Sequence, residues 1–399
     1  MRIAEIKVTP VNVPFVAPIR WSGGANLDWT RLVIEMRTDD GLVGLGETLG
    51  GGITKALIDT EIAGMFLGEN PFDLDRMLAK ATFVPLYHGK GGLCAVAGLE
   101  LACWDLMGKA TGQPVCRLLG GRLRDEIPFA NYLYHRNPNV DGGLGIVDQD
   151  QMLAYAQETQ ARYGFSCLKY KGGVLAPEAE VEILRALRAA FPDRQLRYDP
   201  QAIFSPATAV RIGRLLEPLD LEYFEDPCWG HDAMARVRSK VAMPLATNMC
   251  VIDLDSLAVG VRLGSTDVVL GDVCEWGGLT AMKKLQAVCE VFQINLNFHS
   301  AGELGIATAA YLHVAAAQPA LPHALDSHIL HMSGDVVRPG VIGLTDRGTM
   351  KVPDGPGLGV ELDPDRMAAA VEAYRRSGEA SVYAEDAARK GRIPVKSML

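Results

Sequence analysis

The 399-residue chain has a net charge of −9 and is 48% apolar, enough to bury a sizeable core in two domains or in one barrel with an extension. The acidic balance argues against nucleic acid as a partner, although a local basic pocket can still take an anionic small molecule. The eight cysteines form no CxxC pair and most lie in apolar runs, which predicts buried thiols in a reducing compartment and argues against a disulfide framework or a zinc site.

In chain order, the opening MRIAEIKVTPVNVPF lacks the apolar core of a secretory signal. Strand-like runs follow at 3–13, 30–38 and 41–47. Asp39-Asp40-Gly41 is a hairpin signal between the last two. Helical patterns come next, at 53–67, 72–80 and 91–110. Strands first and helices after predict an α+β capping unit over residues 1–125, with helices on one face of an antiparallel sheet.

From residue 126 the pattern alternates. Short β-rich runs fall at 127–135, 165–171, 195–201, 221–227, 243–249, 267–272, 293–299 and 323–327. Helical periodicity lies between them at 151–164, 177–191, 208–217 and 279–292. Eight strands with intervening helices predict an α/β fold, a (β/α) TIM-type barrel over residues 126–335. Within it GIATAAYLHVAAA, at 305–317, is the longest apolar run seen. It falls short of the about 20 residues that span a bilayer, so a soluble, cytoplasmic protein without a membrane partner is expected. Residues 336–399 are turn-rich over 339–363 and helical in pattern over 364–390. They are expected to pack back on the capping unit and complete it.

Chemistry in such barrels sits at the C-terminal strand ends. The polar residues closing the runs are Lys169 and Lys171, Asp199, Glu225 with Asp226, Asn248, Asp272, His299 and Asp326. From Lys171 onward the steps are 28, 26, 23, 24, 27 and 27 residues, one βα unit each.

Asp199, Glu225 and Asn248 are oxygen donors from three consecutive strands, a set suited to Mg²⁺. The plainer alternative is that such residues cap the helices that follow. Lys169 and Lys171 share a strand face about 7 Å apart. At an effective dielectric of about 20 they repel by about 2.4 kcal/mol, which is expected to lower a lysine pKa and favour a base. The alternative is two solvated side chains. Asp272 beside His299 is expected to orient the ring as a second base, against the alternative of a core histidine. His135 and His328 are candidate pocket residues. A metal holding a carboxylate, with a base on either side, fits abstraction of the proton α to that carboxylate. The resulting carbanion can be reprotonated or can expel a β-hydroxyl.

These residues resemble the enolase superfamily in its mandelate racemase subgroup, and within it the glucarate dehydratases. The resemblance is carried by LKYKGGVLAPEAE (168–180), YDPQAIFS (198–205), YFEDPC (223–228), LATNMCVID (245–253), LGD (270–272), FHSAGELGIATAAYLHVAAA (298–317) and PDGPGLGVELD (353–363). TNM is the most specific stretch, because glucarate dehydratases carry Asn at the third metal position. The resemblance implies Mg²⁺ on Asp199, Glu225 and Asn248. It implies Lys171 as one base, tuned by Lys169, which meets the substrate carboxylate. It implies His299 with Asp272 as the other base and general acid, and Asp326 near the enediolate.

The chain departs from that pattern in its lid. The expected SGAH-like stretch reads WSGGANLDW (21–29), the second lid loop reads GKGGLCAVAG (89–98), and DPQ (199–201) replaces DPN. Trp21, Asn26, Trp29 and Tyr134 are therefore the candidate substrate contacts. The expected activity is Mg²⁺-dependent dehydration of an acid sugar, an aldarate like glucarate. The alternatives are racemisation or epimerisation by the same bases, or a non-catalytic acid-sugar-binding paralogue. A homo-oligomer is expected by analogy with relatives.

Overall fold

The computed structural model describes residues 1–380 other than Val140. The expected helical pattern over 381–390 lies outside the described residues. Three antiparallel strands open the chain: β1 (Ile3–Trp21), β2 (Gly24–Thr38) and β3 (Val43–Leu49). The Asp39–Gly41 signal is a turn, with Gly41 at φ 91°. The predicted helix at 53–67 is α1 (Gly52–Leu57), a π-helical turn (Ile58–Ile62) and α2 (Ala63–Phe66). After α3 (Leu74–Ala81) comes α4 (Phe83–Thr111), which starts earlier than periodicity suggested and is broken at Gly89, φ 56°.

By length and composition α4 could cross a membrane, which the reading of apolar runs missed, but 83% of its apolar window is buried. Gly98 and Ala102 bring its backbone close to β3, and its buried residues are apolar or small apart from Glu100 and Asp105. After α5 (Val115–Leu118) the chain enters the barrel.

The first predicted barrel strand divides into β4 (Glu126–Pro128) and β5 (Ala130–Arg136). β5 heads a run of seven parallel strands: β6 (Cys167–Lys171), β7 (Gln195–Asp199), β8 (Tyr223–Glu225), β9 (Leu245–Thr247), β10 (Val268–Gly271) and β11 (Asn295–Phe298) complete it. Helices α6 (Gln149–Tyr163), α7 (Pro177–Ala190), α8 (Pro206–Leu216), α9 (His231–Arg238), α10 (Leu254–Leu263), α11 (Leu279–Phe292) and α12 (Gly305–Ala316) surround it. Their ends follow local chemistry. Asp253 and Ser256 form a capping box at α10, and left-handed Gly164 and Gly264 end α6 and α10.

The expected eighth strand at 323–327 is not a strand. It is a single bridge between Phe129 and Leu325, made by Ala130 N donating to Leu325 O and Leu325 N donating to Pro128 O. Asp326 N reaches Phe298 O at 3.3 Å, so the segment still spans the gap between β11 and β5.

The C-terminal segment divides its contacts. β12 (Thr349–Lys351) pairs with β4 beneath the barrel. α13 (Pro364–Ser377) packs on β1, and Asn12 Nδ2 donates to Ser377 Oγ at its end. The capping sheet joins the barrel directly, because β1 pairs with β5 at Ile19 with Arg136 and at Arg20 with His135.

Candidate active site

β6 shows how the strand period builds the site. Leu168 and Tyr170 pack outward under the helices, so Lys169 and Lys171 face the barrel interior, both buried. Register sets Lys169 beside Arg197 and Lys171 beside Asp199. The glycines that follow turn the chain sharply: Gly173 has φ 72°, and its amide donates to Glu180 Oε2 at 2.9 Å.

The repulsion expected between the two lysines is overridden. Asp199 Oδ2 lies between the ammonium groups, 2.5 Å from Lys171 Nζ and 3.9 Å from Lys169 Nζ. Lys169 also reaches Asp326 Oδ2 and Glu225 Oε2, each at 2.5 Å. Burial alone would lower the Lys169 pKa, but Asp326 and Glu225 hold it well above the usual lysine value. Strand period sets the lysines on a shared face, but it does not show the carboxylates aimed at them by two other strands and by the 323–327 segment.

Asp199 and Glu225 close neighbouring strands. Burial raises the Asp199 pKa, and Lys171 and Lys169 more than reverse it. Glu225 is held well above its ordinary range by burial and then by Asp199. Lys169 donates to Asp326 and pairs with Glu225 Oε2 at 2.5 Å, and Glu225 Oε1 has no donor among the described residues. Two buried carboxylates, one with an oxygen left without a donor, form a place for a cation. Asn248 lines the adjoining pocket with Lys171, which pairs with Asp199; Asp199 and Glu225 are not themselves among that pocket's lining residues. This all-oxygen donor set fits Mg²⁺.

Asp226 belongs to the support of that set. Its carboxylate accepts from Thr247 Oγ1 at 2.5 Å, Asn248 N at 2.9 Å and Met249 N at 3.2 Å, while its backbone sits at φ 35°. It therefore fixes the turn that carries Asn248.

Across the pocket, His299 Nδ1 lies 3.0 Å from Asp272 Oδ2. The other Asp272 oxygen accepts from Cys274 N and Glu275 N at 2.8 and 2.9 Å. Burial raises the Asp272 pKa, and the bond to His299 lowers it below the model-peptide range. Glu275, which strand-end reasoning missed, brings a carboxylate oxygen within 4.8 Å of an Asp272 oxygen and a His299 ring nitrogen. Lys90, just after the Gly89 break in α4, pairs with Glu275 at 2.5 Å.

The pocket has a volume of about 560 Å³ and is lined by Lys171, Asn248 and His299 together with Trp21, Trp29 and Tyr134. Asn26 is not among its lining residues: it is buried and accepts from Trp21 Nε1 at 2.5 Å, holding that indole. His135 is buried away from the pocket, with Nε2 2.8 Å from Tyr170 Oη. His328 stands behind Tyr134, 2.9 Å from its hydroxyl, and edge-on to Trp29 at 4.8 Å between ring centroids.

Residues 3–120 match the family described as Mandelate racemase / muconate lactonizing enzyme, N-terminal domain, and residues 151–366 match Enolase C-terminal domain-like. A probable glucarate dehydratase of Streptomyces coelicolor is 37% identical over 395 residues, covering 92% of this chain and 90% of its own. A D-xylonate dehydratase of Haloferax volcanii is 29% identical over 370 residues, covering 89% and 87%. The crystal structure of an enolase from Thermobispora bispora, complexed with magnesium and formate, is similar at TM-score 0.89 and 39% identity, covering 95% of each chain.

Proposed function

Because the chain belongs to the mandelate racemase / muconate lactonizing enzyme family, with its enolase-like C-terminal domain, we propose that it is a Mg²⁺-dependent acid-sugar dehydratase. It removes the proton α to a carboxylate and eliminates the β-hydroxyl, giving a 2-keto-3-deoxy acid. An aldarate like glucarate is the substrate that the TNM stretch favours. The observation that carries the reading is that Lys171 and His299 line one pocket with Asn248, over the buried Asp199–Glu225 pair. The names of two relatives, a probable glucarate dehydratase and a D-xylonate dehydratase, support the reaction class.

Asp199, Glu225 and Asn248 would hold the ion. When bound, Mg²⁺ supplies electrophilic stabilisation of the charge that builds on the substrate carboxylate. Lys169, held cationic by its carboxylate neighbours, adds positive charge at the same end. Lys171 Nζ is the base that takes the α-proton. Asp272 fixes His299 through Nδ1, leaving Nε2 to give a proton to the departing hydroxyl. The C–O bond breaks, water leaves, and the enol that remains tautomerises to the keto acid. The free cysteines, all eight without a disulfide, fit a cytoplasmic location.

The test is a panel of aldarates and aldonates with Mg²⁺, assayed for 2-keto-3-deoxy acids. Turnover that EDTA abolishes and Mg²⁺ restores is expected. No turnover across the panel would sink the reading. The same two bases could serve a racemase, which would wash deuterium into the α-carbon without losing water.

A further inference from the structure

The Tyr134 hydroxyl begins a chain of hydrogen bonds that runs to Glu303 by way of Ser300, which also lines the pocket. Tyr134 Oη lies 2.9 Å from His328 Nε2, and His328 Nδ1 lies 2.7 Å from Ser300 Oγ. Ser300 donates to Glu303 Oε2 at 2.6 Å, and Ala301 N donates to Glu303 Oε1 at 2.5 Å.

Counting protons fixes the direction. Ser300 has one hydroxyl proton and gives it to Glu303, so its Oγ accepts from His328 Nδ1–H. Burial, then His331, His299, Lys171 and Lys169, hold the His328 pKa well below the usual range, so the ring is neutral and carries one proton; Tyr132 also faces the Tyr134 hydroxyl, as a donor to it. Nε2 therefore accepts from Tyr134. With Glu303 charged, Tyr134 turns only lone pairs toward the pocket.

The far end of the chain opens elsewhere. Glu303 borders a second cavity of about 290 Å³, whose lining includes Asp335, Arg338 and Arg366. On its inner side Glu303 faces Arg31, Asp272, Cys274 and Tyr311. Burial and then Asp272 push its carboxyl up to about 7, against the pull of Arg31. A group of this kind between a catalytic pocket and a second opening can load and unload a proton near neutral pH.

We propose that Glu303, Ser300 and His328 form a proton path between the pocket and the second cavity, and that its protonation sets whether Tyr134 accepts from the substrate or donates to it. The step balances. Tyr134 takes a proton from the pocket side and gives its own to His328 Nε2. His328 gives its Nδ1 proton to Ser300, and Ser300 gives its own to Glu303. In the reversed chain Glu303 donates to Ser300, Ser300 to His328 Nδ1, His328 Nε2–H to Tyr134, and Tyr134 to the pocket. Glu303 and His328 are positioning residues, because they act on substrate through Tyr134, whereas Ser300 also borders the pocket itself. The proposal rests on the dehydratase reading only for the identity of that substrate.

The path is tested on ¹⁵N-histidine-labelled enzyme by NMR, with the His328 signals assigned by their loss in His328→Asn. The expected result is a neutral His328 that carries its proton on Nδ1 above pH about 7 and on Nε2 below it, following Glu303. Glu303→Gln and Ser300→Ala each abolish the exchange between tautomers. A single tautomer throughout in the wild type, or an exchange that persists in Glu303→Gln, overturns the path. Kinetics test its link to substrate. Glu303→Gln should change kcat/KM by about tenfold in the wild type but less than about twofold in Tyr134→Phe. Equal effects in both backgrounds overturn that link. Absence of turnover sinks the dehydratase reading alone, and the tautomer measurement still decides the path.

Discussion

Asp226 follows Glu225 in one stretch of sequence, yet the two carboxylates serve different ends. Glu225 meets the Lys169 ammonium and keeps Oε1 without a donor among the described residues, whereas Asp226 uses its oxygens on Thr247 and on the amides of Asn248 and Met249. Support of this kind orients a metal ligand without touching the metal. Asp226→Ala is expected to weaken Mg²⁺ binding by about 10- to 100-fold, read by calorimetric titration on folded protein. An unchanged Kd would remove Asp226 from that role. At this scale the sequence reading reached Lys169, Lys171, Asp199, Glu225, Asn248, Asp272 and His299, because each closes a strand at a regular step. It assigned no such role to Asp226, Glu275 or Glu303. Asp226 meets backbone amides about 20 positions on, Glu275 meets a lysine from the cap, and Glu303 works through a serine and a histidine. No period in the chain records such contacts.

The elements were legible where one face differs from the other and obscure where it does not. β6 alternates cleanly, and its two lysines follow from that period. The eighth strand was misread, because HALDS has a strand's composition but pairs only through Leu325. The start of α4 was missed because a helix buried on most sides has no polar stripe to mark its turns. Its fit to β3 depends on absent side chains. A Cβ at Gly46 would lie 2.0 Å from Gly98 O, and one at Gly44 would lie 2.4 Å from Ala102 O. Backbone oxygens of a packed helix cannot swing aside as a flexible side chain can. Gly46→Ala should therefore cost about 3 kcal/mol through overpacking, measured by denaturant unfolding. A loss below about 1 kcal/mol would mean that α4 shifts freely on the sheet.

The molecule as a whole joins its cap to its barrel by more than the β1–β5 pairing. Strand alternation puts Arg31 on the face of β2 opposite Leu32, Ile34 and Met36, a face that periodicity alone assigns to water. The barrel covers the Arg31–Val33 end of that face, and Arg37 at the other end stays exposed. Arg31 Nε donates to Glu47 Oε1 at 2.8 Å, with both side chains fully buried. Glu47 in turn accepts from Leu304 N and Ala307 N, the first turn of α12, at 2.8 and 2.9 Å. Arg31 also reaches Ala301 O and Cys274 Sγ, at 3.3 and 3.2 Å. One apolar core carries the same connection, since Val33 and Leu45 of the cap cluster with Phe298, Leu304 and Ile306 of the barrel. A buried ion pair adds little compared with apolar packing, but removing one partner strands a charge at a cost of about 3–5 kcal/mol. Arg31→Met fills similar volume while leaving Glu47 without its cation. It should lower the unfolding free energy by that amount, and unfolding should remain one cooperative transition because the shared core persists. A variant within about 1 kcal/mol of wild type would mean that Glu47 is satisfied by the α12 amides alone. Two resolved calorimetric transitions in the wild type would show that cap and barrel unfold independently, and that the contacts at Arg31 and Glu47 do not couple them.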